Sequence, residues 1–323
     1  MRCEMLDGEV LRDELARLED KRRQRVREAG ERAIAFMARH PEVSAARRNM
    51  RVEGVAAARR AAAGEPDAQA ALRAAREYET LLAATLAADG LQPDALEPVF
   101  DCPRCQDTGY TRDAVRNLCE CVLTRVLARM SQSARLRPEC TFDQCDFDRF
   151  PEIVSVDGKS CNQRLQMQRL FEFCARWVDD FPDNEKPHLL LSGGVGLGKT
   201  FLLHAMAHRI IHEKRVTVLN TSAYHVIAEA RKGFDALGSI ELYLSAPVLI
   251  LDDLGTEPSF PGVSAETLFT VLNERQSSGR HTLIATNLSL ADLAARYGER
   301  LLSRLGRRET FVAVLRGRDV RTR

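Results

Sequence analysis

The 323-residue chain has almost no net charge: 47 Lys and Arg stand against 46 Asp and Glu, a formal balance of +1 at pH 7. Attraction to nucleic acid must therefore come from local patches, not from the field of the whole molecule. One such patch runs from Arg300 to Arg323, where eight arginines accompany two acidic residues. Long apolar runs are missing as well. No stretch approaches the roughly 18 residues that a membrane span requires. The opening Met1-Arg2-Cys3-Glu4 leads into charged, helix-like sequence, without the apolar core of a signal peptide. β-Branched residues are scarce from Leu6 to Asp89, which disfavours strands there. With no leader, nine cysteines point to a reducing cytoplasm, where clustered thiols bind metal more often than they form disulfides. The expectation is a soluble cytoplasmic protein with no membrane partner, whose length and 45% hydrophobic content suffice for two or three domains.

What is present in the first 90 residues is helical periodicity. Leu11, Leu15, Leu18, Val26, Ala29, Ala33 and Met37 recur at spacings of three, four or their sums. His40-Pro41 stops that helix, because proline disfavours helical geometry in the residue before it. A second helix is predicted over 42–63, Gly64-Glu65-Pro66 breaks it, and a third places Ala68, Ala71, Leu72, Ala75, Tyr78, Leu82 and Leu86 on one side. The unit is either a self-contained bundle or a docking module that buries an apolar stripe against a partner.

Next come Cys102-Pro103-Arg104-Cys105 and Cys119-Glu120-Cys121. These four thiolates are enough to close a tetrahedral Zn²⁺ shell with no open position, so the metal would be structural. Asp107-Thr108-Gly109-Tyr110 supplies a glycine for the tight turn between the pairs. The alternative is four ordinary packed cysteines. Cys3, Cys140, Cys145, Cys161 and Cys174 have no metal spacing. Val122 to about Arg137 reads as a connecting helix.

From there helices and apolar runs alternate: helix 162–179, strand 187–192, helix 199–212, strand 215–220, helix 223–232, strand 247–252, helix 265–278 and strand 281–286. Such alternation implies an α/β domain with a parallel sheet covered on both faces. Between the first strand and its helix lies Gly193-Gly194-Val195-Gly196-Leu197-Gly198-Lys199-Thr200, which fits G-x-x-x-x-G-K-[ST], the phosphate-binding P-loop. Its glycines let consecutive N–H groups turn inward on a phosphate, and the helix N-terminus adds partial positive charge. Lys199 is placed to reach the β- and γ-phosphates of ATP, and the Thr200 hydroxyl to ligate Mg²⁺.

Val248-Leu249-Ile250-Leu251-Asp252-Asp253 is an apolar strand ending in two carboxylates about 50 residues later. Placed beside the P-loop strand it is a Walker B element, with Asp252 holding Mg²⁺ and Asp253 orienting and deprotonating the attacking water. Leu283-Ile284-Ala285-Thr286-Asn287 ends in an amide suited to the γ-phosphate. In Gly298-Glu299-Arg300-Leu301-Leu302-Ser303-Arg304-Leu305 two arginines stand one helical turn apart. Each is either a solvated charge or a cation that meets the γ-phosphate across a subunit interface.

The order of these segments, closed by Gly317-Arg318-Asp319-Val320-Arg321, resembles the AAA+ ATPases of the bacterial replicative helicase loaders, the DnaC/DnaI-like family. The resemblance spans about Pro138 to Arg323 and extends to the Cys-Pro-x-Cys-x-Asp-Thr-Gly and Cys-x-Cys string. It implies Asn287 as sensor 1, Arg304 as arginine finger and Arg321 as the sensor 2 arginine. Asp253 departs from the commoner Asp-Glu pair, and its shorter reach suits slow, switch-like hydrolysis. It also implies that DNA is met near 255–264, where Phe260 either stacks on a base or plugs the loop. The implied organisation is a helical partner-binding domain over 1–95, a Cys₄ zinc module over 96–130 and the AAA+ domain over 131–323. The implied function is an ATP-controlled loader that self-associates, holds a ring-shaped replicative helicase and single-stranded DNA, and delivers the one to the other. A transposition-associated, IstB-like ATPase shares the core and is the alternative. A small-molecule P-loop kinase fits the terminal arginines poorly, and a structural ATP-binding scaffold would require Asp253 to be inert.

Overall fold

Helix α1 (Gly8–Arg39) ends where expected, because Pro41 cannot continue it but can open α2 (Pro41–Ala62), whose first-turn N–H groups have no helical partner anyway. The computed structural model describes residues 8–64, 67–111, 117–156, 158–231, 236–258, 260 and 263–321, with backbone alone at 236–239. Glu65 and Pro66 of the expected break therefore lie outside the described residues, as does Cys3. Helix α3 (Gln69–Ala88) packs along α2. Phe36, Val43 and Leu86 form a small core with Tyr78, Leu81 and Leu82 around it. Three expected stripe positions differ, Val26, Ala68 and Leu72, which are exposed. Val26 is exposed because eight residues after Leu18 amount to about 800° of helix, roughly 80° off the buried face, whereas the eleven to Ala29 return within about 20°. Arg22 is half-buried in that stretch, its guanidinium over the Phe100 ring. Leu72, in the first turn of α3, is also exposed, while Ala74 is buried.

The described residues form two compact units, Arg12–Leu123 on the one hand and residues 8–11 with 124–321 on the other. The connecting helix is α4 (Glu120–Ser133). Two short antiparallel strands, β1 (Val154–Val156) and β2 (Lys159–Cys161), precede α5 (Gln163–Asp180), which Asn162 caps by accepting from Leu165 N at 2.8 Å. Then follow β3 (His188–Gly193), α6 (Lys199–Arg209), β4 (Val218–Ser222), α7 (Ala223–Ala230), α8 (Ala236–Ser245), β5 (Val248–Leu254), α9 (Ser264–Ser277), β6 (His281–Thr286), α10 (Leu290–Tyr297), α11 (Glu299–Leu305) and β7 (Thr310–Leu315). The helix expected to reach His212 changes at Ile210 to a π turn that ends on Arg215 in left-handed geometry, φ 60°. That turn delays β4 to Val218.

The five long strands make one parallel sheet in the order β4-β5-β6-β3-β7. The strand ending in Asp252-Asp253 is therefore not beside the P-loop strand, as the sequence reading has it. β6 lies between them, and all six of its residues are buried, as befits a strand paired on both sides. The ends of β3, β6 and β5 share the carboxyl edge of the sheet, where open α/β folds place their ligands.

Candidate functional site

Two glycines give the P-loop its shape. Gly196 (φ 73°) and Gly198 (φ 85°) are left-handed, and Gly198 is the residue that starts α6. Lys199, the first residue of that helix, is 5% exposed. Its Nζ donates to the carbonyls of Gly193 (2.8 Å) and Gly194 (2.7 Å) and to Asn287 Oδ1 (2.8 Å). Burial lowers its pKa below the ordinary lysine value, against the opposing pull of Asp253 and Asp252.

Thr200 Oγ1 donates to Asp252 Oδ1 at 3.1 Å, so the two Mg²⁺ candidates already touch. They meet across an intervening strand because β5 slips its register against β6 between Leu251 and Leu254, a bulge that re-aims the carboxylates at the sheet edge. Asp253 sits in that bulge at φ 53°, an uncommon conformation that its short polar side chain tolerates. Asn287 Nδ2 donates to Asp253 Oδ1 at 3.3 Å. Burial first, and Asp253 second, raise the Asp252 carboxyl above the usual range. A hydroxyl beside two adjacent carboxylates is an oxygen donor set that suits Mg²⁺, whose charge would relieve that crowding.

The structure thus brings together Gly193 to Thr200, Asp252, Asp253 and Asn287. Arg321 joins them through Asp319, whose Oδ1 accepts from Arg321 N at 2.8 Å and whose Oδ2 accepts from the guanidinium at 3.3 Å. Val320 N donates to Gly196 O at 3.2 Å, and Gln163 holds Arg318 through its N–H (3.1 Å) and carbonyl (3.0 Å). Asp319 and Gln163 were not foreseen. The Gly-Arg-Asp-Val-Arg run marks Asp319 only by its position beside Arg321, and Gln163 has no sequence signal. Arg304 is placed elsewhere. Its guanidinium lies 5.3 Å over the Phe269 ring, with Arg300 4.0 Å over the same ring, so within one chain neither is shown at the P-loop. Phe260 is partly buried and packs on the main core, with the Arg231 guanidinium 3.9 Å over its ring. Residues 259, 261 and 262 of that segment lie outside the described residues.

Gly196 makes a sharp prediction. A methyl group there would stand 1.7 Å from Asp319 Oδ1, on a backbone that costs an L-residue about 1–2 kcal/mol. Gly196→Ala should therefore push Asp319 and Arg321 off the loop and weaken ATP binding at least about tenfold, the equivalent of 1.4 kcal/mol. A titration with ATP checks it.

In the other unit, Cys102, Cys105, Cys119 and Cys121 place their sulfurs within 4.8 Å of one another. Cys102 and Cys119 are 3.9 Å apart, Cys105 and Cys121 3.6 Å. A tetrahedron with Zn–S bonds of about 2.3 Å has edges of about 3.8 Å, so the donor set fits zinc. The Cys105 N–H pulls the Cys102 thiol down to about 7, whereas burial raises Cys105 and Cys121. Buried Asp107 braces the first pair, accepting from the backbone N–H groups of Asp101 and Cys102 at 2.9 Å each. Gly109 is left-handed (φ 78°), and a Cβ there would stand 2.5 Å from Leu15, which explains the glycine.

The chain resembles several known proteins of DNA replication. The replicative helicase loader DnaI of Bacillus subtilis (strain 168) is 31% identical over 108 residues, 32% of this chain and 34% of DnaI. The chromosomal replication initiator protein DnaA of Gluconobacter oxydans (strain 621H) is 33% identical over 138 residues, 41% of this chain and 28% of DnaA. The chain thus matches only about a third of either relative's length. Among solved structures, the DnaC helicase loader is 25% identical with a TM-score of 0.45, over 55% of this chain and 98% of that one. The family model described as IstB-like ATP binding protein matches residues 122–305, a span that holds the P-loop, both carboxylates, Asn287 and Arg304. That span is more than half of the chain, and the protein belongs to the IstB-like ATP-binding proteins.

Proposed function

We propose that this protein is a slow ATPase whose nucleotide state controls the loading of a ring-shaped replicative helicase onto single-stranded DNA. The observation that carries the loader reading is the identity shared with DnaI, itself a replicative helicase loader. The helical α1–α3 segment is the proposed grip on the helicase, over about 1–95. The four-cysteine module over 96–130 is its structural, zinc-holding link to the AAA+ domain over 131–323. IstB-like ATPases that serve transposases are the second reading, favoured by the family model. Capture from the native host with the full-length chain as bait separates the two: a replicative helicase supports the first, a transposase the second.

For the chemistry, Lys199 neutralises the β- and γ-phosphates, exchanging its bonds to the Gly193 and Gly194 carbonyls for phosphate oxygens. Thr200 and Asp252 would hold Mg²⁺, which would supply charge neutralisation on the nucleotide. Asp253 accepts a proton from the attacking water, and Asn287, bonded to both Lys199 and Asp253, senses the γ-phosphate. Arg321 reads it from the tail and Arg304 from a neighbouring subunit.

Charged hydrogen bonds are worth about 1.5–3 kcal/mol each. Lys199→Ala should accordingly weaken ATP binding at least about 100-fold. Asp253→Asn should bind ATP normally and lose about 10²–10⁴ in hydrolysis, the usual contribution of a positioned base. ATP titration and phosphate release measure the two separately, and equal binding by Lys199→Ala would remove the P-loop assignment.

A further inference from the structure

One buried acid ties the turn after the two carboxylates to the end of α10. Glu257 is 3% exposed. Its Oε2 accepts from Gly255 N at 3.0 Å, and its Oε1 accepts from the Tyr297 hydroxyl. Arg296 donates to the Glu257 carbonyl, with its Nε 3.6 Å from Oε1. A carboxylate buried in this way is costly unless its oxygens are partnered, and here the partners come from two elements. Glu257 also raises the Tyr297 phenol, after burial, which keeps its O–H a donor.

Each side of this junction leads to a functional group. On one, Gly255 lies two residues beyond Asp253, and Thr256 donates to the Asp253 carbonyl through both N–H (3.2 Å) and hydroxyl (2.9 Å). On the other, left-handed Gly298 (φ 83°) joins α10 directly to α11, the short helix that carries Arg300 and Arg304. The start of α10 is fixed as well, by the Ser289–Asp292 capping box just after Asn287. Helix α10 is therefore held near Asn287 at one end and to the carboxylate turn at the other, and α11 inherits its position.

We propose that Glu257 is a positioning residue that couples the Asp252-Asp253 turn to α11 and so sets where Arg304 is presented to a neighbouring subunit's ATP site. This rests on the proposed action of Arg304 in trans. A change at one site's carboxylates then moves the arginine offered to the next, which is a route for passing nucleotide state around an assembly.

The test is a double-mutant cycle on the full-length chain, with Glu257→Gln and, as a variant that removes one hydroxyl only, Tyr297→Phe. Each is combined with Arg304→Ala, and ATP affinity and the concentration-dependent maximal rate are read for all. Either substitution should lower the maximal rate about tenfold while shifting ATP affinity less than about twofold, and neither should lower it further once Arg304 is gone. A merely structural Glu257 would give losses that multiply with Arg304→Ala, or a fall in ATP affinity, and either result overturns the coupling. An Arg304→Ala protein as active as wild type overturns the trans reading itself, and the coupling with it. If Glu257→Gln does not fold, Tyr297→Phe decides on the same criteria.

Discussion

Protein purified without chelator should carry about one zinc per chain, and stripping it should unfold the segment around Cys102 to Cys121. The sulfur separations of 3.9 and 3.6 Å match the edge of a ZnS₄ tetrahedron. Among the described residues the segment's own core is the four cysteines, and so short a stretch buries too little apolar surface by itself to offset chain entropy. Thiolate coordination supplies about 10–16 kcal/mol of apparent binding energy in small zinc domains, more than the whole stability of most domains. Cys105→Ser, which removes a fully buried ligand, should reproduce the effect of the chelator. Elemental analysis gives the metal content, and limited proteolysis reads the unfolding as cleavage between the two cysteine pairs. ATP binding should survive, because the P-loop belongs to the other compact unit. A metal-free chain that resists cleavage there would mean that the cysteines are merely packed.

Much of the ATPase core was legible because its strands are continuous apolar runs and several of its helices start at glycine (Gly198, Gly298) or at a capping side chain (Asn162, Ser222, Ser289). The runs at 188–193, 248–254 and 281–286 are buried almost throughout, and a parallel sheet covered on both faces requires that pattern. Strand order is another matter. Nothing in Leu283-Ile284-Ala285 tells that this strand separates the P-loop strand from Asp252, since pairing is a long-range choice that local pattern does not encode. β7 was missed although Thr310-Phe311-Val312-Ala313-Val314-Leu315 is rich in strand formers. It stands among arginines, and at the sheet edge only two of its six residues, Thr310 and Leu315, are buried. The π turn after α6 and the left-handed Arg215 have no sequence signature at all.

The site divides in the same way. Residues bound by short-range geometry, Gly193 to Thr200 above all, can be read from spacing, because one loop delivers them together. Asp252 and Asp253 were legible as chemistry, but the bulge that turns them toward Thr200 was not. Asp319, Gln163 and Glu257 were invisible. Gln163 meets the backbone of Arg318, 155 residues on. Asp319 and Glu257 instead accept from N–H groups two residues away and gain their roles only from where the fold sets them, beside Gly196 and Tyr297. A lone acid or amide in a sequence is most simply a surface residue.

Arg304→Ala should bind ATP nearly as wild type does and lose the rise in activity per subunit that accompanies assembly, whether driven by protein concentration or by single-stranded DNA. Its own chain places the guanidinium over Phe269, away from the P-loop, on a helix in which Arg300 shares the same ring. An arginine so held is available to a neighbour's nucleotide, and such fingers contribute about 10³–10⁵ in rate to phosphoryl transfer. Binding is spared because Lys199, Thr200 and Asp252 remain. Mixing gives the decisive measurement. Arg304→Ala subunits have sound carboxylates and no finger, whereas Asp253→Asn subunits have the finger and no base. Each alone lacks the assembly-dependent rate, yet an interface that sets the Asp253→Asn subunit's Arg304 against the other's intact P-loop is complete. In a random equal mixture about one interface in four has that orientation, so activity should return to roughly a quarter of the assembled wild-type rate if sites fire independently. A rate that does not depend on concentration and is unchanged by Arg304→Ala would show a self-contained site, with Arg304 no more than a charge resting on Phe269. No recovery on mixing, with both single variants inactive, would place Arg304 at its own chain's nucleotide instead.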